Sequence, residues 1–200
     1  AEKTKLFNKA DNTAFTAVLM TGNEAENGRY ERIMPRRTNN WYTKSLSTEE
    51  SKFWQKNVAK YIQSGEGPYV WQRIINLSIN FEETRPTKFF RSLIRVLKNG
   101  NNEDYWRYLE RYTKVLKKVR PDIQHAVFVM SSGGNTNTVR ILTAFNNPSK
   151  RQGETNSGVV KDVYDEMFGE GTWEDDFQKY NERLVDWSRP TYDFMMRPDL

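Results

Sequence analysis

The sequence predicts an α+β fold in which helices cover one face of an antiparallel sheet. Three stretches predict it. Asp122–Asn147 holds two β-rich runs, Ile123–Met130 and Thr136–Phe145, around Ser131-Ser132-Gly133-Gly134-Asn135, which is a hairpin pattern. From Lys88 the chain passes from a strand pattern through Asn99-Gly100 into an aromatic-rich helix ending near Val119. Val159–Met196 then offers two helix patterns and a last strand. With its second helical segment split in two, this β–α–β–β–α–β order is a ferredoxin-like unit.

The totals narrow the choices. Two hundred residues suit one large domain or two small ones. Aromatics make up 14% of the chain, so a packed core is feasible despite a polar average, because each buried ring removes a large apolar area from water. No run of about 18 apolar residues is present, so no helical membrane span is expected. The absence of cysteine excludes disulfides, thiolate metal sites and cysteine nucleophiles. The opening Ala-Glu-Lys-Thr-Lys lacks methionine. That is what removal of an export signal leaves, so a periplasmic or secreted protein is expected, with the cytoplasm as the alternative. The net charge of +5 is uneven: Lys161–Leu200 has five Lys/Arg against eleven Asp/Glu, and the preceding residues carry +11. Either the two parts attract each other or the basic body meets an anionic partner.

Taken in order, Ala1–Asn12 is a polar arm, and Ala14–Met20 is a short strand ended by Thr21-Gly22-Asn23. Asn23–Asn40 reads as an edge strand or a loop, since Pro35 argues against a central strand. Ser47–Gln63 is a helix. Ser47 and Glu50 form a capping box, and Phe53, Trp54, Val58, Tyr61 and Ile62 give it a face to bury. Gly65, Gly67 and Pro68 break it. Tyr69–Ile79 is a strand with Tyr69, Trp71, Ile75, Leu77 and Ile79 on one side and Arg73 as the exception.

Asn80–Thr87, polar and holding Pro86, marks a domain boundary. Residues 1–80 are expected to form a degenerate or partial α+β unit with an N-terminal arm, and 88–200 the full unit. Two tandem units are supported by GPYVWQRIINLSI and QHAVFVMSSGG, which both follow an aromatic helix.

Lys88–Leu97 alternates Phe90, Ile94 and Val96 against Phe89, Arg91, Leu93, Arg95 and Leu97. Asn102 is the expected cap of the next helix, with Glu103 and Asp104 at its positive end. Its inward stripe is Tyr105, Tyr108, Leu109, Tyr112, Val115, Leu116 and Val119, and Pro121 stops it. Pro148–Gly158 is a loop. In Val159–Phe168, Val160, Val163, Tyr164 and Met167 face inward. Thr172 and Asp175 suggest a second capping box for Trp173–Ser188, which should bury Trp173, Phe177, Tyr180, Leu184 and Trp187. Thr191–Met196 closes the sheet. The hairpin is then expected as its central pair, flanked by Lys88–Leu97 and Thr191–Met196. The other face of the sheet must be covered by a second unit or by a dimer partner.

From Lys88 to Leu200 the chain resembles the dimeric α+β-barrel superfamily, which includes antibiotic-biosynthesis-monooxygenase-like domains. The resemblance rests on KFFRSLIRVLKNGNNEDYWRYLE, HAVFVMSSGGNTNTVRILTAF, the helix pair around FGEGTWEDDF and the closing MMRPDL. It implies a fold more than a reaction, because that superfamily holds cofactor-free oxygenases, haem-handling proteins and members without known activity.

The ligand-binding candidates are His125, Trp106, Arg91 and Arg95. The resemblance would make His125, the only histidine, a haem ligand or a proton acceptor in the cleft between sheet and helices. The plainer reading is a strand histidine with one nitrogen hydrogen-bonded. Trp106 lies off the helix's inward stripe, so it serves either a pocket for a flat molecule or a packing contact. Arg91 and Arg95 share one side of a strand. If that side is covered they need anionic partners, with the acidic C-terminal helices the expected ones and Arg140 a further member. Arg29, Arg32, Arg36 and Arg37 with Tyr30, Trp41 and Tyr42 form a basic–aromatic mixture of the kind nucleic-acid binders show. The Gly-rich turn lacks the Lys and the following helix of a phosphate loop. No HExxH, GxGxxG or G-x-S-x-G motif occurs, and neither a cofactor nor a metal is called for. The first expectation is a non-catalytic protein that binds a small molecule or serves as an assembly module. The alternatives are a cofactor-independent monooxygenase and a nucleic-acid binder acting through the basic first half.

Overall fold

A computed structural model describes Leu6 and residues 15–19, 30–34, 47–62, 64–82, 87–145, 157–186 and 190–196. Its strands are β1 (Phe15–Leu19), β2 (Tyr30–Ile33), β3 (Val70–Ile79), β4 (Phe89–Val96), β5 (His125–Ser132), β6 (Thr138–Phe145) and β7 (Thr191–Met196). The helices are α1 (Thr48–Asn57), followed by a short 3₁₀ turn at Ala59–Tyr61, then α2 (Glu103–Val119), α3 (Ser157–Phe168) and α4 (Thr172–Glu182). All strands join one antiparallel sheet in the order β2-β1-β7-β4-β6-β5-β3.

The inner order β7-β4-β6-β5 places the unit's fourth strand beside its first, then its third and second. This is the ferredoxin-like arrangement. The α2 crossover carries the chain past one strand position, and β6 returns to fill it. β4 is therefore the middle strand, paired with β6 along its length and with β7 over its first half. The hairpin is not the central pair: β5 has β3 on its outer side, and β7 does not touch it. The described strands of the first part build no separate sheet. They extend the ferredoxin-like one, β3 at one end and β1–β2 at the other.

Alternation sorts the strands onto two faces. Leu97, Val127, Val139 and Ile141 pack with Tyr105, Tyr108, Leu109 and Val115 of α2, Val160 and Tyr164 of α3, and Tyr180 of α4. Phe90, Phe194 and Met196 form a second cluster on the opposite face, with Ile33 and Leu142 against it. In β3 a simple alternation fails. Ile74 pairs with Val127 and Ile79 with His125, so five residues on one strand span two on the other. This bulge turns Leu77 and Ile79 into the helix-side core and leaves Ile75 74% exposed.

The second face is covered from within the chain. Arg140 on β6 makes a two-pronged ion pair with Glu31 on β2, with Nη2 donating to Oε2 at 2.8 Å. In the sheet order three strands separate them, which is about 19 Å in a flat sheet. The sheet therefore curls until its β2 edge lies over its own middle.

Helix ends follow local chemistry. Ser47 Oγ accepts the Glu50 N–H at 3.1 Å, as the capping pattern predicts. The α1 helix stops at Asn57, however, and none of its residues is buried; beyond it Tyr61 and Ile62 stand largely exposed. Asn102 is the N-cap residue of α2 as expected, but its side chain makes no capping bond; Asn101 Oδ1 accepts from Glu103 N at 2.8 Å instead. Thr172 is not a cap for α4. Asp165 of α3 accepts the Trp173 N–H at 2.8 Å and ties the two helices together. Met167 and Phe177 are exposed rather than inward, and Trp187 lies outside the described residues. The helices are locked by Asp176, 1% exposed, whose carboxylate accepts from Arg107, Arg111 and the Tyr164 hydroxyl. Burial acts to raise its pKa, but these three donors outweigh it and hold the carboxyl below its ordinary value.

Two outcomes test this architecture. Gly133 has φ +90°, and a Cβ there would sit 2.2 Å from the Pro68 carbonyl oxygen. Gly133→Ala should cost about 2–3 kcal/mol in urea unfolding. Gly134→Ala should cost less, because the atom its Cβ meets is the sulfur of the flexible Met130 side chain. Asp176→Asn should cost about 2–3 kcal/mol, below the loss for a fully buried pair because Arg107 and Arg111 remain about a third in water. That loss should shrink below the ordinary carboxylate range, where the native charge itself is being neutralised.

Candidate functional site

Register brings polar residues together on the helix-covered face. Asp193 of β7, Arg91 of β4, Thr143 of β6 and His125 of β5 stand opposite one another in a single row across the sheet. Each is forced there by alternation, and the row cuts through an otherwise apolar layer. At one end Arg91 Nε and Nη2 donate to the two oxygens of Asp193 at 2.9 and 3.2 Å. At the other, His125 Nδ1 shares a hydrogen bond with Thr143 Oγ1 at 3.1 Å, its direction following the imidazole tautomer.

His125 is the unusual member. It is 2% exposed, and burial pushes its pKa down to about 4. It is thus an uncharged imidazole at neutral pH. The Tyr112 ring approaches it edge-on at 6.4 Å between centroids. Its Nε2 has no hydrogen-bond partner among the described residues. A buried polar atom left unpaired costs about 1–3 kcal/mol, and such atoms call for a reason beyond packing. Burial also pushes the Tyr112 phenol up to about 12, so both groups hold their neutral forms over a wide pH range.

A second polar group lies toward the other end of α2. Tyr105 is fully buried beside Tyr180, and burial first, then Tyr180, raises its pKa. Arg95 is close enough to act on it in the opposite sense, and donates to the carbonyls of Ile94 at 2.8 Å and Pro190 at 3.5 Å. Trp106 packs edge-on against Tyr105 at 5.0 Å, a core contact rather than an open wall. Six residues of helix, about 9 Å, separate Trp106 from Tyr112. The four expected site residues therefore divide: His125 and Arg91 share the polar row, while Arg95 and Trp106 sit with Tyr105.

The expected partners change as well. Arg91 pairs with a strand residue, Asp193, not with the acidic helices. Arg140 does not join Arg91 and Arg95. It stands opposite Ile94 in the ladder and so points to the other face. The acidic C-terminal part does meet the basic body, through Asp176 with Arg107 and Arg111 and through Glu166 with Lys118. Sequence reasoning missed Asp176, Thr143, Asp193 and Glu31. The available signal was an ionisable or hydroxyl residue in an apolar alternation, as in Tyr192-Asp193-Phe194 and Leu142-Thr143-Ala144.

Of the basic–aromatic mixture, Arg32 and Tyr30 lie on β2; Arg29, Arg36, Arg37, Trp41 and Tyr42 lie outside the described residues. Among the described residues no group of three or more His, Asp or Glu could hold a metal ion, and no helix is long and apolar enough to cross a membrane.

No protein-family model matches the chain, and no curated protein matches its sequence. Among solved structures it is similar to a protein from Lactobacillus acidophilus NCFM named a "putative monooxygenase", with a TM-score of 0.52 and 10% identity over 98% of this chain and 83% of that one. The likeness supports the α+β fold. At that identity it says nothing of the chemistry.

A pH titration tests the state of His125. The unfolded chain takes up the imidazole proton near pH 6.5 and the native chain only near 4. The unfolded state therefore binds more protons between those values, and the contribution, present in full above about 6.5, falls as pH drops toward 4. The loss should be on the order of 3 kcal/mol, and His125→Phe should flatten that part of the profile. Because the chain has one histidine, its single imidazole NMR signal should report the neutral ring down to about pH 4.

Proposed function

We propose that the protein binds a small, flat, hydroxylated aromatic molecule in the layer between the sheet and α2–α4. The observation that carries this reading is His125 Nε2, a buried hydrogen-bonding atom on a neutral ring, unpaired among the described residues. With the Nδ1 proton donated to Thr143, Nε2 accepts a hydrogen bond from a phenolic hydroxyl. The aromatic surroundings supply faces and edges against which a flat ring packs, with Tyr112 beside the imidazole. Binding energy then comes from apolar area, and orientation from one polar contact.

A second reading is favoured by the structural likeness to the Lactobacillus protein: a cofactor-independent oxygenase. In it the neutral imidazole takes the phenolic proton of an oxidisable substrate, leaving an electron-rich ring for dioxygen to attack. This uses the same residue and differs in outcome, so one set of measurements separates the two.

The test is titration with 1,4-naphthohydroquinone under nitrogen, followed by intrinsic fluorescence and melting temperature. Saturable binding that raises Tm supports the site. His125→Phe keeps a flat ring, somewhat larger than the imidazole, removes both nitrogens and should weaken binding about tenfold while leaving the protein folded. Admitting oxygen then distinguishes the readings, since an oxygenase consumes it with the quinol faster than the protein-free solution does and a binding protein gives no such acceleration. Absence of binding, or binding unchanged in His125→Phe, removes the proposal. An oligomer that binds no quinol would favour an assembly module, and affinity for nucleic acid falling steeply with salt would favour the basic first half.

A further inference from the structure

The face of the sheet away from the helices carries a separate constellation. Arg140 is only 8% exposed. Its Nε donates to Ser92 Oγ at 2.9 Å, and Ser92 is fully buried. The rings of Trp71 on β3 and Phe194 on β7 stand 5.8 and 5.9 Å from its guanidinium carbon. These contacts come from β3, β4 and β7. They fix the plane of the guanidinium and leave its two terminal nitrogens as a fork, the arrangement that matches a carboxylate.

The fork is filled by Glu31, whose side chain keeps 32% of its surface in water. Two residues on, and so on the same side of β2, Ile33 packs against the cluster of Phe90, Phe194 and Met196. β2 thus presents a carboxylate and an apolar group together, the first to the fork and the second to an apolar floor. β2 is four residues long and, among the described strands, pairs in the ladder with β1, whereas the groups that make the socket belong to the longer inner ladders and to β3. Lifting β2 uncovers the fork of a guanidinium still held by Ser92, Trp71 and Phe194, and that fork matches another carboxylate. The socket therefore takes an anion in either state.

We infer that this socket is a binding site for a small carboxylate with an apolar body, and that Glu31 and Ile33 of β2 occupy it as a displaceable internal ligand. The exchange is one carboxylate for another and one apolar group for another, so it turns on ligand concentration and on the ease of lifting a short edge strand. It is independent of the His125 layer, which lies on the opposite face.

The experiment uses the full chain with benzoate as the probe and benzamide, its neutral counterpart of the same shape, as control. Binding is followed by calorimetry and by the Nε–Hε NMR signal of Arg140. Glu31→Gln removes the competing charge at constant size, so benzoate should bind the variant at least about tenfold more tightly than the wild type. Benzamide should bind neither, and Glu31→Gln combined with Arg140→Gln should lose the benzoate site. In the wild type, saturating benzoate should speed amide exchange at Tyr30–Ile33, a readout that stands even where a variant folds poorly. Equal benzoate affinity in wild type and Glu31→Gln, equal binding of benzamide, or β2 exchange unmoved by benzoate in the wild type would each show the pair to be a fixed structural salt bridge and overturn the inference.

Discussion

The helical layer is held by one buried carboxylate. Asp176 collects two guanidinium groups from α2 and a phenol from α3 while itself sitting on α4, so three helices share a single acceptor. Each donor is directed by helical spacing: Arg107 and Arg111 are four residues apart and lie on one side of α2. The opposite side of α2 is the stripe of Tyr105, Tyr108, Leu109, Val115 and Leu116 that meets the sheet or the tyrosines of α3 and α4. With one side fixed by charge and the other by apolar burial, α2 has one orientation over the sheet. That orientation sets Tyr112 beside His125 and closes the layer above the polar row.

The sheet then has two unlike faces. One is largely apolar and aromatic, crossed by the row from His125 to Asp193 and holding Arg95 beside Tyr105; the other is curled over a buried arginine. The ferredoxin-like core explains neither by itself. Both depend on the strands added at its ends: β3 extends the helix-side core through Leu77 and Ile79, and β2 reaches back to Arg140. The likeness to the Lactobacillus protein runs over nearly the whole chain, so it takes in these additions along with the core.

What could be read from the sequence was whatever local periodicity determines. The hairpin, β4, the stripe of α2 and β7 all follow from spacing within one element, and the β–α–β–β–α–β order follows from listing them. What could not be read depended on chain segments far apart. The Arg140–Glu31 pair needs a sheet curvature that no local pattern encodes. The cap of α4 comes from Asp165 on the preceding helix, so Thr172 gave a false signal. The faces of β3 were misassigned because a bulge breaks the alternation between Ile74 and Ile79. Arg91 and Arg95 were rightly placed on one side of β4, which proves to be the covered one, but the partner of Arg91 was set by the β4–β7 register, which the sequence leaves open. The α1 stripe at Phe53 and Trp54 was legible as amphipathic, yet amphipathicity does not say that a helix reaches the core.

The bulge in β3 also bears on how this chain meets other copies of itself. β3 is the outermost strand at its end of the sheet and is ten residues long, which would make a flat, regular strand there a template for recruiting another strand. The extra residues between Ile74 and Ile79 kink that rim and break the even row of backbone donors and acceptors. At the other rim the strand is only four residues long. Neither border offers a long straight ladder for continuation from molecule to molecule. The same irregularity that redirects Leu77 into the interior thus acts outwardly as a guard against runaway sheet growth.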